Sequence, residues 1–251
     1  MIPLKDDVPT QSYPLVTVSL IAANVVVYLY EFVLGFPAGS SPAAAATAQR
    51  AYEAFVYEFG LVPCRLGDVC PDKLGTALAA APAPWLTVFT SMFVHGGLFH
   101  VGGNMLYLWI FGNNVEDSMG KLRFLAFYLL CGVAAALTQY VGDPRSPVPM
   151  VGASGAVSGA LGAYLVLFPS ARVWTLVIFG FFWRLVPVPA LVVLGFWIVV
   201  QVVNGLITFG HGFATGEQGG VAFLAHVGGF VAGMGLVFLF RRRPRIGYRR
   251  Y

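Results

Sequence analysis

The chain has 251 residues, of which 58 % are hydrophobic and only 10 % charged, and its mean hydropathy is +0.76. Soluble domains carry roughly 25 % charged residues, so this chain cannot cover its own surface in water. A soluble enzyme, a secreted disulfide scaffold and a disordered tail are excluded, and a polytopic membrane protein is left.

In chain order, six hydrophobic spans are predicted: 14–34, about 98–115, about 121–141, 152–168, about 187–208 and 222–240. Each approaches the ~20 apolar residues that a helix needs to cross ~30 Å of hydrocarbon. Pro14 opens the first. Gly112-Asn113-Asn114 with Glu116 and Asp117 ends the second, Pro169 stops the fourth, and Pro187 and Pro189 precede the fifth. The first span is too long for the apolar core of a signal peptide and reads as an uncleaved helix. The short apolar segment 172–184 lies between Arg172 and Arg184 and reads as an interfacial or re-entrant piece.

Six spans divide the chain into a cytoplasmic segment 1–13, a membrane domain 14–240 with a long external loop 35–97, and a basic tail 241–251. The loop opens with Gly39, Ser40, Ser41, Pro42 and a run of alanines, a composition expected of a flexible linker. Orientation follows from the basic residues. Lys5, Lys121, Arg123, Arg172, Arg184 and six terminal arginines share one side, eleven of the 15 in the chain. Both termini are therefore expected in the cytoplasm. Despite the net charge of +4, nothing resembles a base-reading module, so no nucleic-acid partner is expected. Cys131 lies inside a span and reads as a small core residue. Cys64 and Cys70 share the external loop, where a disulfide forms if the compartment is oxidising; no second ligand pair follows to make a zinc site.

Polar groups within apolar spans are costly, so they point to function. His95, His100 and Asn104 cluster at the second span, Ser154 opens the fourth, and His226 lies about one turn into the sixth. All three even-numbered spans run outside to inside, so His100, Asn104, Ser154 and His226 share one depth near the extracytoplasmic face. His100 and Asn104, four apart, share a helical face. Gly155, Gly159 and Gly162 on the fourth span, and Ala225, Gly229 and Gly233 on the sixth, form small-residue stripes that let backbones approach closely. Such an approach is what a serine hydroxyl needs to come within ~3 Å of an imidazole and be activated as a nucleophile. The bland reading is that each Ser or His only satisfies a local hydrogen bond. Other readings of the same atoms are a histidine-ligated haem or metal, a channel or transporter, and a protein that binds membrane helices without cutting them. The outer-end aspartates and glutamates are all assigned to loops, so no triad acid is expected.

In order and register, His100-x-x-x-Asn104, Gly152-Ala153-Ser154-Gly155 and Ala225-His226-x-x-Gly229 resemble the rhomboid family of intramembrane serine proteases, of the bacterial type. The resemblance covers roughly residues 90–240 and includes Gly112 through Glu116. It implies an all-α, six-helix membrane bundle in a bacterial inner membrane. Its catalytic residues would be Ser154 as nucleophile and His226 as general base, with His100, Asn104 and the backbone N–H of Ser154 as the oxyanion hole. Gly152 would leave room for the substrate backbone, and His95 would be a structural support. The implied partners are membrane lipid and single-span protein substrates with small or helix-breaking residues near the cut. No metal or organic cofactor is implied. A gate between spans two and five is the family-level expectation, compatible with aromatic Tyr107, Trp109, Phe196 and Trp197. One position departs from well-studied bacterial members: Ser158 stands where an aromatic residue stacks on the histidine. Either another group orients His226 or its ring is held more loosely.

Overall fold

A computed structural model describes residues 2–215 and 222–242. The tail arginines Arg243, Arg245, Arg249 and Arg250, and the end of the connection into the sixth expected span, lie outside them. The chain is mostly helical. Among the described residues, four helices are long and apolar enough to cross a membrane: α1 (Leu15–Leu34), α8 (Lys121–Gly142), α10 (Ala190–Thr215), over its stretch Ala190–Ile207, and α11 (Phe223–Phe240). The second expected span is one rod in three registers, α6 (Leu98–Tyr107), a π-helical turn (Leu108–Gly112) and α7 (Asn113–Met119). The fourth is α9 (Ser154–Leu167), of 14 residues.

The external loop corrects the expectation of a flexible linker. Its alanines begin α2 (Pro42–Phe59), because Ser41 accepts a hydrogen bond from the Ala44 N–H (3.1 Å) and Pro42 takes the first turn. Alanine, the best helix former, then carries the helix forward, and Phe55 packs it on α1 against Tyr30 (ring centroids 5.5 Å apart). Short helices α3 (Pro63–Leu66), α4 (Asp72–Ala77) and α5 (Pro84–Thr90) follow, and Cys64 and Cys70 are joined in a disulfide between α3 and α4. Cys131 is a free, buried thiol inside α8, as a small core residue should be.

The expectation of an all-α bundle needs a second correction. Segment 172–184 lies in a β-hairpin, β2 (Arg172–Phe179) and β3 (Phe182–Pro189), to which β1 (Ile2–Asp6) adds as a third antiparallel strand in the order β1-β2-β3. Val173, Thr175, Val177, Ile178, Val186 and Val188 favour the pleated backbone, and Gly180 (φ 57°) supplies the positive φ of the two-residue turn. Pro3, Asp6, Val173 and Thr175 face inward and are buried. Asp6 accepts hydrogen bonds there from Asn114 Nδ2 (2.5 Å) and from Tyr164 Oη on α9 (2.6 Å).

Both ends of the described chain gather at this end of the molecule. Glu116 on α7 caps α1 by accepting from the N–H groups of Val16 (3.0 Å) and Thr17 (2.7 Å) and from the Thr17 hydroxyl (2.8 Å). An acid at a helix N-terminus both fills unsatisfied donors and complements the dipole. Asp117 accepts from the Gln11 N–H and the Ser12 hydroxyl, while the Arg242 N–H and guanidinium donate to the carbonyls of Ser118 and Met119.

The small-residue stripes meet as expected. A β-carbon on Gly229 would land on the carbonyl oxygen of Gly155, one on Gly233 on that of Gly159, and one on Gly162 on that of Phe230. Backbone therefore touches backbone along α9 and α11. Gly233→Leu is expected to destabilise the bundle by about 3 kcal/mol, the upper end for overpacking. Gly235→Leu, where an added β-carbon meets nothing within 4 Å, is expected to change little. Unfolding in mixed micelles by titration with dodecyl sulfate checks the pair; equal midpoints would contradict this packing.

Candidate active site

Close approach of α9 and α11 brings the two reactive side chains together. Ser154 is the first residue of α9 and His226 lies in the first turn of α11. The Ser154 hydroxyl is 2.7 Å from His226 Nε2, and His226 is buried. Ser158, one turn further along α9, turns its hydroxyl back to the Ser154 carbonyl (2.6 Å). The bland reading of a membrane serine therefore holds for Ser158 and not for Ser154.

His100, Asn104 and Gly152 converge on the same place. Gly152 has φ 117°, which L side chains rarely adopt. A β-carbon there would come 2.6 Å from His100 Nε2 and 3.7 Å from Asn104 Nδ2, so only glycine leaves the space open. His100 Nδ1 accepts from the Gly96 N–H (3.3 Å), which puts the ring proton on Nε2 and turns that donor toward Gly152. Asn104 is buried and its Nδ2 has no hydrogen-bond partner. A buried donor left unmade costs free energy, and such groups persist where a ligand will accept from them. The Ser154 N–H belongs to the first turn of α9, whose amides have no acceptor within the helix. Three donors thus border one space. It is part of a cavity of about 700 Å³ lined by His100, Asn104, Gly152, Ser154, Trp197 and His226. Phe99, another lining residue, is 96 % exposed, so the cavity reaches the surface at the start of α6.

Segment 150–152 leads toward Ser154 as non-helical backbone, Ala153 already having helical dihedrals, and is tied down on both sides. Met150 and Leu61 exchange backbone hydrogen bonds (2.7 and 3.0 Å), and the Gly152 N–H donates to the Ser91 carbonyl (2.8 Å). His95, in the connection between α5 and α6, is fully buried. Its Nδ1 donates to the Phe93 carbonyl (3.1 Å), leaving Nε2 to accept from the Ala153 N–H (3.4 Å). Its ring meets that of His100 edge-on at 5.1 Å.

Burial, reinforced by the neighbouring His100, pushes His95 down from 6.5 to about 4. The folded value lies below the unfolded one, so this contribution is complete above pH 6.5 and is lost as pH falls toward 4. The span corresponds to roughly 3 kcal/mol. The melting midpoint of the protein is expected to drop between pH 6.5 and 4, and by less in His95→Gln, which cannot take up the proton. Parallel profiles for the two proteins would contradict this.

Three contributors were not anticipated. Glu31 is not in a loop: it lies within α1, is 1 % exposed, and accepts from the His95 N–H with both oxygens (3.1 Å each). This corrects the assignment of all outer-end acids to loops; Glu31 supports the His95 backbone and makes no hydrogen bond to His226. Gln201 on α10 is buried with Oε1 2.7 Å from His226 Nδ1. Trp197, one turn earlier, has its ring 5.8 Å from that of His226. The rule that polar groups inside a span point to function applies to both Glu31 and Gln201, but does not say which group either one meets. Among the described residues, no three His, Cys, Asp or Glu side chains are grouped to hold a metal ion.

Comparison with known proteins adds a family to this geometry. The family model described as Rhomboid domain matches residues 82–243. Rhomboid protease GluP of Bacillus subtilis is 31 % identical over 153 residues, 61 % of this chain and 25 % of its own length. Putative rhomboid protease YdcA of the same organism is 34 % identical over 118 residues, 47 % of this chain and 59 % of its own. Rhomboid protein 1, mitochondrial, of Saccharomyces cerevisiae is 29 % identical over 153 residues, 59 % of this chain and 40 % of its own. The matches thus span less than two thirds of each of these relatives.

Proposed function

The chain belongs to the rhomboid family, and from that premise we propose that it is a serine endopeptidase that cuts transmembrane helices of other membrane proteins. The observation that carries the reading is the 2.7 Å contact between Ser154 Oγ and His226 Nε2 in the lining of a cavity that the unpaired Asn104 Nδ2 also borders. In the proposed reaction His226 Nε2 takes the Ser154 proton as Oγ attacks the scissile carbonyl carbon. Asn104 Nδ2, His100 Nε2–H and the Ser154 N–H stabilise the resulting oxyanion. Collapse breaks the C–N bond, and His226 returns its proton to the leaving amine. Water, deprotonated by the same nitrogen, then releases the acyl group and restores Ser154.

We place the protein in a bacterial inner membrane with six spans, 14–240, both termini cytoplasmic, and 241–251 as a basic cytoplasmic tail. An integral membrane protein is what the family and the apolar helices support; the six-fold count and the orientation are our reading of them. The shortness of α9 fits it. Fourteen residues rise about 21 Å, so a helix beginning at Ser154 starts below the outer surface. Non-helical backbone at that depth is tolerated where it lines a cavity, as residues 150–152 do. The substrates we propose are single-span proteins with small or helix-breaking residues near the outer leaflet. A regular helix hides its peptide bonds, and such residues let the strand unwind into the cavity.

The test is incubation of the purified protein, in lipid vesicles, with a single-span reporter carrying such a segment, followed by mass measurement of the fragments. One cut near the outer end of the span is the expected outcome. A reporter that co-purifies with the protein and stays whole would favour binding of helices without cleavage.

A further inference from the structure

The aromatic residue absent at Ser158 leaves open what orients His226, and the answer lies on a different helix. α10 presents Trp197 and Gln201, four residues apart and so on one face, to the imidazole: Trp197 to the ring and Gln201 to Nδ1. A glutamine carbonyl oxygen only accepts. With Oε1 2.7 Å from Nδ1, the ring proton must sit on Nδ1. Nε2 then carries the lone pair and, 2.7 Å away, accepts from the Ser154 hydroxyl. The opposite tautomer would point N–H at the serine and could not take its proton. Ser158, which donates to the Ser154 carbonyl (2.6 Å), does not compete for either nitrogen.

We propose that Gln201 is the positioning residue of this site, holding His226 in the tautomer and orientation that general-base catalysis requires, in place of an aromatic residue on α9. The proposal rests on the reading of Ser154 and His226 as a reacting pair. It makes α10 part of the catalytic apparatus: a displacement of this helix away from α11 unseats the base as well as widening the site. Of the groups that face His226, His100 on α6 is titratable. Ser154 on α9, Trp197 and Gln201 on α10, and Phe223 on α11 are not in the working pH range.

The test compares wild type, Gln201→Leu and Gln201→Glu in vesicles, by reporter kinetics over pH and by ¹⁵N chemical shifts of the histidine ring nitrogens. Leucine matches the volume but offers no acceptor, so Nδ1–H loses its partner and the proton shifts toward Nε2. kcat is expected to fall about 10- to 100-fold with KM unchanged, at or below the lower end of the ~10²–10⁴-fold that general-base catalysis supplies, because the base is mispositioned and not removed. Glutamate keeps an acceptor and adds charge that stabilises the imidazolium. It is expected to hold kcat within a few-fold of wild type and to move the acidic limb of kcat/KM to higher pH. In wild type the shifts should report His226 protonated at Nδ1 alone, and in Gln201→Leu a mixture. Leucine with wild-type kcat, or wild type already a mixture of tautomers, would overturn the proposal. Glutamate as impaired as leucine with no movement of the limb would do so too. If wild type cuts no reporter, the protease reading fails separately, and the ¹⁵N shifts still decide whether Gln201 sets the tautomer.

Discussion

Ser154→Ala is expected to end cleavage with the fold unchanged, because nothing else in the cavity can supply the attacking oxygen at the position that His226 serves. Loss of the nucleophile from a serine protease lowers kcat by about a million-fold, which places the residual rate below detection. The hydroxyl makes its hydrogen bond to His226 Nε2 at the edge of an open cavity. Removing it creates no sealed void, since water can take its place. The melting midpoint should therefore stay within a degree or two of wild type. Reporter turnover and thermal unfolding, measured on one preparation, check both halves. A Ser154→Ala protein that retains even a hundredth of the rate would contradict the assignment of the nucleophile.

Asn104→Ala carries the second largest effect, and its sign on stability is the informative part. Asn104 is buried with Nδ2 unpaired, so in the resting protein this amide costs more than it returns. It gains its partner only when a carbonyl oxygen becomes an oxyanion beside Gly152. Removing one oxyanion donor typically lowers kcat by 10²–10³. Because the interaction is made in the transition state and not with bound substrate, KM should stay put. Stability should hold or rise, as expected when a group kept for function at the expense of the fold is deleted. A kinetic and melting comparison with wild type decides; a loss of several kcal/mol in stability with kcat unchanged would make Asn104 a structural residue instead.

That His100, Asn104, Ser154 and His226 come to line one cavity was legible because the span pattern puts each near the same end of its helix. The paired stripes Gly155/Gly159/Gly162 and Ala225/Gly229/Gly233 were legible because three small residues at helical spacing have few other uses in lipid. What stayed hidden has physical causes too. Residues 172–189 are apolar on both faces near the turn, and short apolar runs do not separate strand from helix by periodicity. The alanines after Pro42 look like a linker in composition and act as a helix once Ser41 caps them. Gln201 is an amide in a long apolar run, and its meaning depends on which way α10 is turned. Glu31 stands near the end of a span, where an acid reads as solvated; only the fold shows both of its oxygens spent on the His95 N–H.

These particulars share a design: the segments around the site are held by elements other than their own. Ala153 is held by His95, His95 by Glu31, and the end of α1 remote from Glu31 by Glu116. A site built in this way can keep a non-helical segment at 150–152 and an unpaired donor at Asn104 without collapsing around them.

The most direct test of the central claim is labelling by a fluorophosphonate, which phosphonylates only an activated serine and needs no substrate. The 251-residue chain in lipid vesicles should take up one probe, mapped by mass spectrometry to the peptide containing Ser154, and His226→Ala should take up none. Labelling at another serine, or equal labelling of Ser154 without His226, would contradict a Ser154–His226 catalytic pair.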